Sequence, residues 1–584
     1  MIRIVSFRKA ALAGAAGAAA WEAALRPLLL AGVPTADIVR SLGTLVIPEG
    51  PAWAWWAVGM GMHVAVGVLW AVFYAYFWWS LLRWRPLFQG LAFAIAPAAL
   101  AILVMYPQLG VMHASQRVLH VGPWTLAAQV AWSDRAGLLL GHLVYGAVLG
   151  LLYTRPVGYP AGRPPRLPRA RGAARSLRRA EAREGSFIFA TGTECSYPTV
   201  EDGRWRRDQM LAAGHYRHWP RDFDLCVEVG VSHVRYGPPL HLVLLGPDRY
   251  DWSFCDEAMH GLRERGLVPI VDLCHFGLPD WLEDFQNPEV PAALAAYAGA
   301  FAGRYPWVRF YTPVNEMFVC AKLSALHGLW NEQRKDERSF VTAVCRLAKA
   351  NRLMIDRILL RRPDAVFVHS ESGEFFQACC PDENILRTAE FENQRRFLPL
   401  DLLLGREVDE TMRGHLRKHG MPDEEYDWFM GDRTPCRTVL GVDYYESNEQ
   451  LIDTDGKPQA LGELFGWYVI AMQYWDRYQL PMMHTETNRM DARDAPRWLW
   501  RQWHNVRLIR KAGVPVVGFT WYSLTDQVDW NMALGEALGN VDPVGLFDLN
   551  RDPRAVGLAY RHLIRMFRDD PGLRDLPELK ELLA

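Results

Sequence analysis

Between Phe187 and Thr520 short apolar runs recur, each followed by a stretch with helical spacing, and that alternation restricts this part of the chain to a parallel β/α arrangement. The eight runs are Phe187–Thr191, Val231–Arg235, Val268–Leu273, Val308–Val314, Ala365–His369, Thr438–Asp443, Leu480–His484 and Val514–Thr520. Parallel strands need long crossovers, usually helices, and the spacing between the runs leaves room for them. Eight such units predict a TIM (β/α)8 barrel with insertions over residues 185–584. In that fold the working side chains gather at the C-terminal ends of the strands, so polar residues at or just past each run are the candidates.

The first 154 residues follow a different pattern. Ala10–Val33 and residues 52–82, 87–106 and 136–153 are apolar stretches that approach or exceed the ~20 residues needed to cross a bilayer. They predict a membrane domain, residues 1–154, of about four transmembrane helices. The alanine-rich first stretch also reads as the end of a signal peptide, so whether residues 1–20 are cleaved stays open. Glu22 and Arg26 lie one helical turn apart and are expected to pair. His63, His113, His120 and His142 lie in or beside the spans; helix–helix hydrogen bonding is their default role and a proton path the alternative. The cluster Phe73–Trp79 reads as an interfacial aromatic belt.

Residues 155–184 contain nine arginines and several prolines, an extended linker suited to anionic lipid headgroups. The loops 34–50 and 107–134 hold only Arg40 and Arg117 as basic groups, whereas Arg3, Arg8, Lys9, Arg83 and Arg85 lie at the opposite ends of the spans. The positive-inside rule therefore predicts an integral membrane protein, of a bacterial inner membrane, with both termini and the barrel on the cytoplasmic side.

A net charge of −1 supplies no field for nucleic acid, and 24 tryptophans point instead to carbohydrate or membrane surfaces. The nine cysteines all fall in the barrel part without a CxxC pair, which favours reduced, mostly buried thiols. No histidine or cysteine spacing suits a metal; His215 and His218 read as loop and helix surface. No P-loop and no GxGxxG opens a helix after a strand, so no nucleotide or other cofactor is expected.

Two runs end in a glutamate: Tyr311-Thr-Pro-Val-Asn-Glu316 and Met482-Met-His-Thr-Glu486-Thr-Asn488. Within one barrel those ends put two carboxylates across one pocket, the minimum equipment for cleaving a glycosidic bond with retention. Three further segments extend the pattern: Leu273-Cys-His275-Phe-Gly-Leu-Pro279 at the third run, Gly441-Val-Asp-Tyr-Tyr445 at the sixth, and Trp521-Tyr-Ser-Leu-Thr-Asp-Gln-Val-Asp529-Trp530 at the eighth. Together, in this order, the five resemble the family 1 glycoside hydrolases across residues 187–566. The resemblance does not reach the membrane part.

The resemblance implies Glu316 as general acid/base and Glu486 as nucleophile. It further implies that Asn315 bonds the sugar 2-hydroxyl, Tyr445 orients Glu486, His275 contacts outer hydroxyls, and Arg235 supports the nucleophile. Trp521 and Trp530 would form the platform and wall of the sugar site, with Asp529 on the terminal sugar. Several positions depart from the family: its first-strand glutamine is replaced in Thr193-Glu194-Cys-Ser-Tyr197, its His-Trp by His275-Phe276, its Glu-Trp by Asp529-Trp530, and its Asn-Glu-Pro by Asn315-Glu316-Met317. Glu194 and Tyr197 both stand as substitutes for the glutamine, and the changes point to a specificity other than plain glucose or galactose.

The expectation is therefore a membrane-anchored retaining β-glycosidase of the β-glucosidase type, hydrolysing or transferring a β-linked sugar. Its partners would be a carbohydrate or glycolipid substrate and membrane lipids; the sugar, the aglycone and the oligomeric state stay open. The alternatives are a catalytically silent sugar-binding or sensory barrel coupled to the membrane helices, or a four-span transport or assembly module with the enzyme as passenger.

Overall fold

In the computed structural model each of the eight runs forms a strand of one closed parallel barrel. The strands are β1 (Ile188–Thr193), β2 (His233–Tyr236), β3 (Val268–Asp272), β4 (Phe310–Thr312), β5 (Val366–Ser372), β6 (Arg437–Asp443), β7 (Met482–His484) and β8 (Val516–Trp521). Their order around the barrel follows the chain, and β8 closes on β1 through Ile188–Thr191 paired with Gly518–Trp521. The structure describes residues 7–48, 50–78, 86–106, 108, 131–153, 185–201, 203, 205–536 and 538–584. The chain divides into two units, Met1–Gly162 and Arg163–Ala584.

Strand residues are buried on both faces because helices cover the outside of the barrel while side chains fill the inside, which is why the runs read as continuous apolar stretches. The helix Glu337–Leu359 illustrates the outer layer. Asp336 caps it by accepting from Ser339 N–H at 2.9 Å, and Phe340, Val344, Leu347, Ile355 and Ile358 lie along its buried face. Each such fully buried apolar side chain contributes roughly 1.5–3 kcal/mol. Short hairpins on the connections after β1 (Thr199–Val200 with Trp205–Arg206) and after β8 (Gln527–Val528 with Val541–Asp542) build up the C-terminal rim.

In the first unit, three helices among the described residues are long and apolar enough to cross a membrane: Ala52–Trp78, Pro86–Met105 and Trp132–Tyr153. The expected fourth span forms as the helix Phe7–Leu30, but it falls short of that apolarity, because alanine and glycine dominate it and Glu22 and Arg26 interrupt it. Those two residues do pair, at 2.8 Å, and Asp37 joins the same guanidinium at 2.9 Å. Asp37 also caps a short helix, Ile38–Val46, in a stretch read from sequence as a loop. The helices pack backbone to backbone: a Cβ on Gly90 would stand 2.1 Å from the Gly146 carbonyl, and one on Gly59 1.9 Å from the Val39 carbonyl. His63 and His142 flank the Trp21 ring at 5.1 and 4.5 Å, and His142 Nδ1 lies 2.7 Å from the Leu138 carbonyl. The expected linker 155–184, most of the loop 107–134, Trp79, Arg83, Arg85, His113 and His120 lie outside the described residues.

Candidate active site

Arg235, near the end of β2, is 1% exposed and joins four strand ends through one guanidinium. Its Nη1 donates to Glu486 and to the Thr485 carbonyl (3.3 Å), past β7; its Nη2 donates to Asp272 of β3 (3.1 Å) and to Asn315 past β4 (2.7 Å). The planar fork suits this work, because several acceptors are met at fixed angles without a change of rotamer. The second Glu486 oxygen accepts from Tyr445 Oη at 2.6 Å, so donors meet both oxygens, as an acceptor-only carboxylate requires.

Glu316 follows β4 with φ 39° and ψ 61°, in the left-handed region that few side-chain-bearing residues adopt. Two contacts hold it there. Its own N–H donates to the Ser370 carbonyl at 2.9 Å, and the next residue's N–H, Met317, donates to Glu371 at 2.9 Å. The second bond explains one departure noted above: the family's proline at this point has no N–H to give. Burial, then the charges of Asp443, Glu486 and Glu371, hold the Glu316 carboxyl well above the usual carboxylate range.

One carboxyl oxygen each of Glu316, Glu486 and Asp443 lie within 4.8 Å of one another, all three buried. At an effective dielectric of ~20, two charges at such a spacing repel by roughly 3 kcal/mol, enough to keep neighbouring carboxyls from ionising together. Asp443, inside the Gly441–Tyr445 segment, was not singled out from the sequence. An acid closing the sixth apolar run, on the strand next to the one that leads to Glu486, was the signal available.

His275 lies between Asp272 (Nδ1, 2.8 Å) and Glu194 (Nε2, 3.2 Å), with Asn315 Nδ2 at 3.3 Å. Burial works against its imidazolium, but the two carboxylates outweigh it and hold His275 well above its ordinary value. Of the two substitutes for the family's glutamine, Glu194 is thus the one that reaches this cluster. Tyr197 instead stacks on His241 at 3.6 Å. Phe276, φ 58°, packs against Trp330 at 4.7 Å.

The β8 end corrects the sequence reading. Trp521 shares the strand parity of Phe519, which packs outward on Trp503 and Tyr560, and its indole N–H donates to the Val544 carbonyl at 3.0 Å. Trp521 therefore faces away from the site. Tyr522, one residue on, points inward: its ring lies 6.4 Å from the His275 ring, with the Arg235 Cζ 5.4 Å from its centroid. Gly192 makes the room, since a Cβ there would stand 2.2 Å from the Tyr522 ring. Trp530 lies at the rim with its ring 5.0 Å from Tyr445. Asp529 is fully buried and turned into its own loop, accepting from Gly539 N–H (3.0 Å) and Asn540 N–H (2.8 Å) and pairing with Arg207.

Two clusters among the described residues bring three acid, cysteine or histidine ligand atoms within 4.8 Å: Cys195–Asp272–His275 and Glu316–Asp443–Glu486. In the first, both His275 nitrogens already face acids, and burial pushes the Cys195 thiol up to about 11. In the second, Arg235 and Tyr445 already take Glu486. The donor sets fit the side chains' own pairing better than a resident ion.

The architecture is a TIM barrel with three buried acids at its C-terminal rim. No protein-family model matches the chain. Over 373 residues it is 21% identical to beta-glucosidase A of Thermotoga maritima, covering 57% of this chain and 82% of that protein. Over 377 residues it is 22% identical to the beta-glucosidase of an Agrobacterium species, covering 58% and 81%. Among solved structures it is similar to the family 1 β-glucosidase from Thermotoga maritima, with a TM-score of 0.55 and 18% identity over 65% of this chain and 97% of that one. The barrel unit has the fold of the family 1 β-glucosidases and resembles them in sequence at low identity.

Proposed function

We propose that this chain is a membrane-anchored retaining β-glycosidase in which Glu486 is the nucleophile and Glu316 the acid/base. The observation that carries the reading is the pair itself: two carboxyls with oxygens within 4.8 Å at one barrel rim, in unlike surroundings. Retaining enzymes set their carboxyl groups ~5–5.5 Å apart, whereas inverting enzymes leave more room for a water. Glu486 attacks the anomeric carbon while Glu316, protonated, gives its proton to the departing oxygen. Glu316 then takes a proton from the incoming water or alcohol, which displaces Glu486 from the sugar.

The neighbouring residues fall into supporting roles. Arg235 and Tyr445 hold Glu486 in line; Asn315 and His275 face the sugar hydroxyls with Glu194 behind them; Trp530 forms the wall and Tyr522 takes the platform part. Asp529 braces the rim loop through Arg207. An incoming alcohol in place of water makes the same site a transglycosylase.

The three apolar helices support anchoring, and the arginine distribution supports a barrel on the cytoplasmic face of a bacterial inner membrane. A barrel tethered at the bilayer favours a glycolipid or lipid-linked saccharide over a freely soluble glycoside. The test is to incubate the full-length, detergent-solubilised chain with 2-deoxy-2-fluoro β-glycosides and map the adduct by peptide mass. The fluorine destabilises the oxocarbenium-like transition state, and a good leaving group lets the first step proceed. One sugar on the Glu486 peptide, absent in Glu486→Gln, supports the reading and names the sugar. No adduct across a broad panel, including lipid aglycones, counts against it and favours a silent, sugar-binding barrel.

A further inference from the structure

Asp443 closes β6, is fully buried, and has no part in the reaction just described. Its Oδ2 accepts from the Ser370 hydroxyl at 2.7 Å, while Oδ1 has no hydrogen-bond partner. The Thr485 hydroxyl stands beside the same carboxyl without hydrogen-bonding geometry. An anion with one bare oxygen in a buried site is costly, whereas a neutral carboxyl carries a proton on that oxygen. The distance to Glu316 and Glu486, within 4.8 Å, is one that a single hydroxyl or water bridges.

The charged and titratable groups facing Asp443 are Glu486 after β7, Glu316 after β4, Arg235 on β2, Tyr445 after β6 and Tyr474 on the helix Gly466–Tyr478. Across the strand pair on β5, Asp443 is opposite Ser372, and Glu371 is opposite the preceding Val442. Of the two cations at these three acids, Arg235 is already bound to Glu486 and Asp272, and the His275 imidazolium, which faces Glu316, lies between Asp272 and Glu194. Three acids with so little compensating charge do not ionise together, and they differ in support. Asp443 has a hydroxyl donor and the attraction of Arg235, whereas among the described residues no hydrogen bond is recorded to the Glu316 carboxyl.

We propose that Asp443 is a third working acid of this site: as pH rises it gives up its proton to solvent before Glu316 does, and the negative charge it then carries keeps Glu316 protonated. Asp443 touches no reacting atom and acts through Glu316. Its catalytic consequence rests on the glycosidase reading, but its proton does not. Burial and the Glu486 charge, which hold the Asp443 carboxyl well above the usual range, agree with a neutral group in the resting site.

The test follows protonated carboxyl groups by infrared absorption during a pH titration of the full-length, ligand-free chain, compared with Asp443→Asn and Glu316→Gln. The native chain is expected to hold one more protonated carboxyl at neutral pH than Asp443→Asn. In Asp443→Asn, Glu316 is expected to deprotonate at a pH lower by on the order of one unit, and the alkaline limb of kcat/KM on an aryl β-glycoside to move down with it. An equal number of protonated carboxyls in the two chains, or an unmoved Glu316 titration, overturns the proposal. Where Asp443→Asn does not fold, Glu486→Gln serves: loss of that charge must move two carboxyl titrations to lower pH, and movement of one alone overturns it. A native chain that carries the extra proton yet cleaves no glycoside upholds Asp443 as a proton carrier and sinks the glycosidase reading.

Discussion

Tyr445 donates to Glu486 at 2.6 Å, so a residue that follows β6 holds the acid that follows β7. Tyr445→Phe removes that donor without changing the ring. Turnover is expected to fall by about 10²–10³, the usual effect of losing one positioned donor at a reacting charge, while KM stays near the native value. Steady-state kinetics on an activated aryl β-glycoside decide it; a change confined to KM would mean that Tyr445 only binds substrate.

Arg235→Lys keeps the charge and loses the fork. A point donor on a flexible stem does not meet Glu486, Asp272 and Asn315 together, so acids and amide are left facing one another. Activity is expected to drop by at least ~10² and stability by about 3–5 kcal/mol, as when one partner of a buried ion network is removed. Denaturant unfolding alongside turnover measures both, and a native-like unfolding curve would contradict the hub role.

The one-residue correction at β8 separates two aromatic substitutions. Tyr522→Ala is expected to lower kcat/KM while leaving a folded barrel, because its ring faces His275 and Arg235. Trp521→Phe is expected to cost stability, through the bond to the Val544 carbonyl, with kcat/KM within a fewfold of native. The reverse pattern would restore Trp521 to the sugar platform.

Glu371 makes stability depend on pH. Burial raises it to about 8, so the folded chain binds this proton more tightly than the unfolded chain does. Its stabilising contribution is complete below its ordinary value of about 4.3 and is lost as pH rises through about 8. One proton corresponds to a slope of at most ~1.4 kcal/mol per pH unit. Glu371→Gln, whose one amide oxygen keeps the shorter bond from Met317 N–H and gives up the longer one from Phe318 N–H, is expected to reduce the slope. Unfolding free energies across that pH range measure it, and an unchanged slope would assign the proton elsewhere.

The barrel was legible because a parallel strand buried on both faces is an apolar run whatever the surrounding fold, and all eight runs became strands. The acids at the ends of β4 and β7 were legible for a related reason: polar residues just past buried strands stand out against them. Apolarity alone was less certain at the first helix, where alanine and glycine make a helix of spanning length without spanning hydropathy.

Sequence by itself determined the period of the strands, the apolar spans and the chemical inventory at each rim position, since these depend on residue type and local spacing. Tertiary structure alone decided direction and partnership. It turned Trp521 outward and Tyr522 inward, took up Asp529 with Arg207 and its own loop, and set Asp443 beside Glu316 and Glu486. Those outcomes depend on strand parity, on how adjacent strand ends converge, and on which charges meet where water is excluded, all of which join residues tens to hundreds of positions apart in the chain.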